Sequence, residues 1–217
     1  MKTNKLSTGI LILLGLLFVG TMAYAGFSEI FSSSISQLEQ GPLHLPVDVI
    51  QQLTGTSCGE AVITMVYNYT YPETPILEQE VIAYAVAQGY YTENLPPFTS
   101  PSDMVKIAKY YADNVSAGTV FGPEQGLSLL IENLQNGNPV IIDVLSNFSD
   151  SQSEAHFIVV TGISIDPNRE NAIVISYNDP LTGGNESADW LGDQGVWNAW
   201  KNNGDPGGPG WWMVISR

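Results

Sequence analysis

Cys58 is the only cysteine among 217 residues. It stands in Ser57-Cys58-Gly59, after a Gly/Thr-rich turn and before apolar residues at spacings of three and four: Ala61, Val62, Met65, Val66 and Tyr69. The spacing predicts a sulfur at a helix N-terminus, where backbone N–H groups and the macrodipole favour an anion. A small buried apolar Cys is the bland alternative, though such a residue more often falls mid-helix or mid-strand. A thiol nucleophile needs a base, and the chain has two histidines. His44 lies in an irregular stretch and reads as a surface or packing residue. His156 opens the strand-like run His156–Ile163, from whose end a side chain can point into a cleft.

The base in turn needs a group to hold its tautomer. The runs His156–Ile163 and Ala172–Tyr177 flank the turn-rich Asp166-Pro167-Asn168-Arg169. Folded as a hairpin about the Pro167–Asn168 bond, they set His156 opposite Asp179. A one-residue bulge would bring Asn178 there instead. The competing reading is that Asn178-Asp179-Pro180 is only a turn after a strand. Upstream, Gln52 can donate its amide to a developing oxyanion beside the Cys58 N–H, with Gln51 adjacent and easily confused with it.

Four helices and four strands are predicted to position these groups. One helix begins at Cys58 and stops before Pro72. A second runs from about Ile76 to Gln88 with Gly89 as its cap. A third is entered through Ser100-Pro101-Ser102-Asp103, a capping box with proline in the first turn. The fourth runs from Pro123 to Gly137 with Leu127, Leu130, Ile131 and Leu134 on one face. Strands follow at Pro139–Leu145, His156–Ile163, Ala172–Tyr177 and Trp211–Ser216, the last fed by a Gly/Pro loop. Helices first and strands second predict an α+β domain with a largely antiparallel sheet.

Length suits one domain with a real core. A single Cys excludes a disulfide framework within the chain and any multi-thiolate metal site. The formal charge of −15 argues against nucleic acid as a partner. Lys2 and Lys5, an apolar run from Gly9 to Val19, and Ala23-Tyr24-Ala25 have the layout of a secretory signal peptide. The run is shorter than the roughly 20 residues of a membrane span. The expected organisation is therefore a signal peptide over 1–25, an arm or linker over 26–45 and one domain over 46–217. The product would be secreted, with membrane association only if the N-terminal segment stays uncleaved. Four sequons, at Asn68, Asn114, Asn147 and Asn185, are glycosylation candidates. The polar segments Asp179–Asp189 and Asn202–Asp205 read as solvated turns, since neither matches a calcium loop. The five tryptophans, all in the C-terminal part, read as core packing.

In order and spacing these residues resemble the papain-like cysteine peptidases, and among them the double-glycine leader peptidases of bacteriocin exporters and their solitary secreted relatives. The resemblance rests on Gln52 six residues before Cys58-Gly59, on the segment Leu134–Ile142, on His156-Phe157-Ile158-Val159-Val160-Thr161-Gly162 and on Asn178-Asp179-Pro180. It spans roughly 47–182. It implies a papain-like fold with the cysteine at a helix start packed on the sheet. It also implies Cys58 as nucleophile, His156 as base, Asp179 as the group orienting it and Gln52 as oxyanion donor. The chain departs from the family in carrying Ser57 where an Asp often precedes the cysteine, and Glu60 where Pro or Ala often follows Cys-Gly. No transporter or ATP-binding domain accompanies it here.

The expected function is a secreted cysteine peptidase acting on a peptide or protein substrate, with no metal or organic cofactor needed. Two other classes compete with it. One is a non-catalytic module of the same fold that binds peptides or cell-wall material; the other is a structural domain with an incidental cysteine.

Overall fold

A computed structural model describes Ser36, Leu38 and residues 41–91, 98–170 and 172–217. The signal-peptide segment, and all of the arm save Ser36, Leu38 and residues 41–45, lie outside the described residues. Five helices are described, α1 (Cys58–Thr70), α2 (Glu78–Gln88), α3 (Pro101–Tyr111), α4 (Pro123–Gln135) and α5 (Val196–Asn202). Seven strands accompany them: β1 (Leu43–His44), β2 (Asn114–Thr119), β3 (Val140–Leu145), β4 (Ala155–Asp166), β5 (Ala172–Asp179), β6 (Gly184–Asp189) and β7 (Trp211–Ser216).

All strands join one antiparallel sheet in the order β2-β7-β3-β4-β5-β6. Strand β4 is long enough to take two partners on one edge. β3 pairs with its first half, and β1 pairs with Gly162 and Ile163 beyond β3. The fold class is thus α+β with an antiparallel sheet, as expected. Helices cover both faces, however. α1, α2 and α3 pack with Ile141, Phe157, Val159 and Met213 on one face. α4 and α5 pack with Val140, Ile142, Ile158 and Val160 on the other. A sheet covered on both sides has central strands that read as continuous apolar runs rather than alternating ones. β3 is buried at every position and breaks its run once, at Asp143.

The four sequence-predicted helices form with the expected caps. Ser100 Oγ accepts from the Asp103 N–H, and Gly89 takes the left-handed conformation that glycine adopts without penalty. The tryptophans do pack inside: Trp190, Trp197 and Trp200 meet edge-on or tilted around Gly126, where a side chain would crowd all three rings. Four elements escape the sequence patterns, the first being β1, which lies in the stretch read as an irregular arm. β2 and β6 are the two sheet edges, Asn-Val-Ser-Ala-Gly-Thr and Gly-Asn-Glu-Ser-Ala-Asp, polar enough to read as loops. The stretch Asp179–Asp189, read as solvated turns, is therefore mostly strand. α5 is too short for a helical period to emerge.

The hairpin of β4 and β5 also differs from expectation in register. It turns about Arg169, with Asp166 opposite Ala172 and the Asn168 N–H bonded to the Asp166 carboxylate. Five residues, not a two-residue turn, make the connection. The register shifts by one between Val160 and Gly162, with Thr161 the extra residue on β4. The carbonyl of Thr161 accepts from the Leu45 N–H, and a Cβ on Gly162 would stand 2.7 Å from the Leu43 carbonyl oxygen. The bulge is thus clasped by the incoming chain, and only glycine permits that approach.

Candidate functional site

Cys58 begins α1 and is partly exposed. The helix starts without a side-chain cap, because the Ser57 hydroxyl is engaged elsewhere, donating to Glu78 Oε1 at 2.8 Å. The same oxygen accepts from the Leu53 N–H at 3.0 Å. Tyr91 O–H bonds Thr56 Oγ1 at 2.7 Å. Buried Glu78 and Tyr91 therefore fix the loop that delivers the thiol, while the first N–H groups of α1 stay clear of any Ser57 cap. Gly59 completes the placement. A Cβ there would meet Met104 Sδ of α3 at 2.7 Å, so the small residue after the cysteine lets α1 and α3 close together.

His156 is buried at the start of β4, and its Nε2 lies 2.7 Å from Asp179 Oδ1 at the end of β5. The two are not opposite each other as the simple hairpin predicted. The ladder ends at Val159 and Asn178. Continued one step, it would set Asp179 opposite Ile158. His156, two residues further along, shares that face and reaches the carboxylate diagonally. Without the bulge at Thr161, Asp179 would face Val159, and His156 three residues away would project from the other side of the sheet. Asn178 is excluded as the partner: it donates to the Val47 carbonyl and accepts from Asn185.

Asp179 Oδ1 also accepts the Leu181 N–H at 2.7 Å. Burial pushes this carboxyl up, but the hydrogen bond and charge of His156 with the neighbouring backbone N–H groups outweigh it and leave its pKa below the ordinary value. For His156, burial pulls the pKa down, yet the hydrogen bonds to Asp179 and Cys58 overcome this and raise it above the usual imidazole value. Nε2 is taken by Asp179, which leaves Nδ1 free on a ring that lines the same cleft as Cys58.

Gln52 lines the same cleft, while Gln51 packs against Gly183. The Gln52 backbone N–H binds the Pro180 carbonyl at 2.8 Å, linking the strand-end turn of Asp179 to the loop before Cys58. Its Nε2 donates one hydrogen to the Thr54 carbonyl at 2.7 Å and keeps a second. Its Oε1 is buried without a partner. The cleft holds about 710 Å³. Cys58, His156, Asp179 and Gln52 therefore converge, whereas His44 sits in β1 opposite Gly162.

Several carboxylates near the site were not singled out as functional by the sequence. Glu60, in the first turn of α1, is wholly buried and accepts from Thr99 Oγ1 at 2.6 Å. Burial raises its pKa to about 6. Asp143 is likewise buried beside His156, and its neighbour Asp205 reaches the cleft wall. Burial and Asp205 push the Asp143 carboxyl well up; burial raises Asp205 as well. The signal for Asp143 was available: one carboxylate inside the apolar run Val-Ile-Ile-Asp-Val-Leu. Glu78, in contrast, looks like any acid in a first helical turn. Of the sequons, Asn68 is tied on both sides of its amide to Ile76, so a glycan there would break two hydrogen bonds.

A model of the Peptidase_C39 like family matches residues 44–206. No curated protein matches the chain.

Proposed function

The chain belongs to the Peptidase_C39 like family, and on that premise we propose that it is a cysteine peptidase. The observation that carries this reading is the His156 ring bound to Asp179 at 2.7 Å by Nε2 in a cleft that it lines together with the partly exposed thiol of Cys58. Family membership supports amide hydrolysis, and the convergence of four side chains in one cleft supports the roles given to each.

In this reading the thiol proton already rests on His156, and the Cys58 sulfur attacks a peptide carbonyl as the thiolate. Asp179 keeps the ring fixed and balances the charge it carries. The oxyanion is met by the Cys58 N–H at the uncapped start of α1 and by the free hydrogen on Gln52 Nε2. His156 then protonates the leaving amine. A thioester remains on Cys58, and water activated by the same imidazole releases the acid and restores the thiolate. The substrate is a peptide or protein. The lysines, apolar run and Ala-x-Ala at the N-terminus support export of the chain.

The test is incubation of the purified chain lacking residues 1–25 with a mixed peptide library. Cleavage that disappears in Cys58→Ala supports the assignment. Cleavage that persists in Cys58→Ala removes it, as does a thiol inert to iodoacetamide in a folded protein that cleaves nothing.

A further inference from the structure

One wall of the cleft is unused by the chemistry above. It comes from the chain between α5 and β7, where Gly204, Asp205 and Pro206 face the cleft. Exposed Glu154 borders the same space, and no lysine or arginine lines it. Behind Asp205 stands Asp143, 0% exposed, and neither of its carboxyl oxygens has a well-formed hydrogen bond among the described residues. The loop is built against it. Asn203 Nδ2 donates to the Asp143 carbonyl at 2.8 Å, and Asn203 Oδ1 accepts from the Asp205 N–H. Gly208 sits where any side chain would collide with the Asp143 carboxylate.

A buried carboxyl without a partner is costly to keep. The chain's described lysines and arginines form no ion pair with it. Lys106 pairs with Asp103, and Arg169 with Asp166 and Asp189, while Lys109 and Lys201 form none of the ion pairs among the described residues. Arg217 binds the Thr70 carbonyl. The ion pairs among the described residues leave Asp143, Asp205 and Glu154 without a cation. Among the described residues His156 is the positive group that acts on Asp143, and its ring is held by Asp179; a ligand can supply the countercharge for Asp205 and Glu154.

We propose that Asp205, with Asp143 behind it and Glu154 beside it, forms a subsite of the cleft for a lysine or arginine side chain of the peptide substrate. The inference rests on the peptidase reading for the identity of the ligand, and on the charge and burial of this wall for its chemistry. Two carboxyls this close hold a proton between them in the empty cleft and lose it to water when a cation arrives. Phe98 and Leu181, both about half exposed on other parts of the lining, offer apolar surface for the methylene stem or for a neighbouring apolar residue. An acidic side chain brought to the same wall is repelled.

The experiment uses peptides blocked at both termini and identical except for one position, moved residue by residue around the scissile bond and occupied by lysine, norleucine or glutamate. At one position lysine should exceed norleucine by about tenfold or more in kcat/KM, with glutamate the poorest, and the preference should shrink with added salt. Asp205→Asn should bring the lysine-to-norleucine ratio to within about twofold, and Asp205→Lys should turn the preference toward glutamate. Binding of the same peptides to Cys58→Ala by calorimetry reads the subsite without turnover. Lysine preferred in Kd with no hydrolysis by the native protein would uphold the subsite and remove the peptidase reading. Equal Kd and kcat/KM for lysine and norleucine at every position would overturn the subsite, as would a lysine preference that survives both substitutions.

Discussion

Two buried aspartates interact with His156 and meet opposite fates. Asp179 touches the ring at 2.7 Å, accepts a backbone N–H as well, and is held in its charged form. Asp143, on the neighbouring strand β3, feels the same imidazole only at a distance, faces another acid, and is driven toward its neutral form. Burial works against the charge in both. What separates them is a donor in contact against a carboxyl in contact. Burial near a histidine therefore does not keep a carboxylate charged; a fixed hydrogen bond to the ring does. The predictions below remove one side of this contrast at a time.

Removing the ring has the largest effect. In His156→Ala, Asp179 becomes a buried carboxyl without its cation and resembles Asp143, while Cys58 loses its base. Peptide hydrolysis should fall by roughly 10⁴ or more, measured as initial rate on the best library substrate. Gln52→Ala leaves both aspartates as they are and takes away one oxyanion donor, so kcat should drop by about 10²–10³ with KM little changed.

Asp179→Asn keeps the contact and removes the charge. Asparagine still accepts from the imidazole N–H, so the loss should be smaller, on the order of 10-fold to 100-fold, corresponding to about one to two pKa units of lost imidazolium stabilisation. The sign is definite. The His156 pKa is raised in the folded protein, so its protonated form persists above the ordinary imidazole range. Asp179→Asn should shift the alkaline limb of the activity profile to lower pH. Asp179 also contributes stability that is present above its unfolded pKa and lost as pH falls through the lower folded value. That acid-side loss should weaken in the variant.

Glu60 extends the contrast on the Asp143 side. Its folded pKa of about 6 exceeds the ordinary value of 4.5. Its contribution is therefore intact below the ordinary value and fades as pH rises through 6. Glu60→Gln should gain about 2 kcal/mol over the native protein on going from pH 4 to pH 8, measured by denaturant unfolding. Asp143→Asn should move stability in the same direction over the same range. A native protein whose stability rises between pH 5 and 8, with neither variant altering the slope, would contradict the burial account of both acids.

Much of this was legible before folding. Cys58 and His156 became candidates by counting, and Asp179 by a hairpin argument whose register the structure corrects. One cysteine and two histidines leave few combinations, and the helix and strand periods around Cys58 and His156 are strong because both segments are packed into the core. The edges were not legible. β2 and β6 face solvent and need no apolar alternation, so their residues look like turns. The hairpin register was missed for a different reason. It depends on β1, where the Leu43 carbonyl and the Leu45 N–H clasp Gly162 and Thr161 from far away in the chain. No local pattern in β4 announces that contact. Glu78 escaped for the same cause: its partners Leu53 and Ser57 precede it by more than twenty residues.

The extra residue at Thr161 also limits how this stretch of chain can change length. Counted from the pair Val160 and Tyr177 just past the bulge, the distance to His156 and the distance to Asp179 must keep an even difference. A deletion or insertion of one residue in either strand leaves a sheet that still pairs, with its ladder hydrogen bonds intact, but sends the two side chains to different sides. Edits of two residues preserve the meeting. Relatives that retain the reaction should therefore vary in the loop 167–171 by any number, and between clasp and site only in pairs. A relative off by one there should carry a sound fold and a histidine with nothing to hold it.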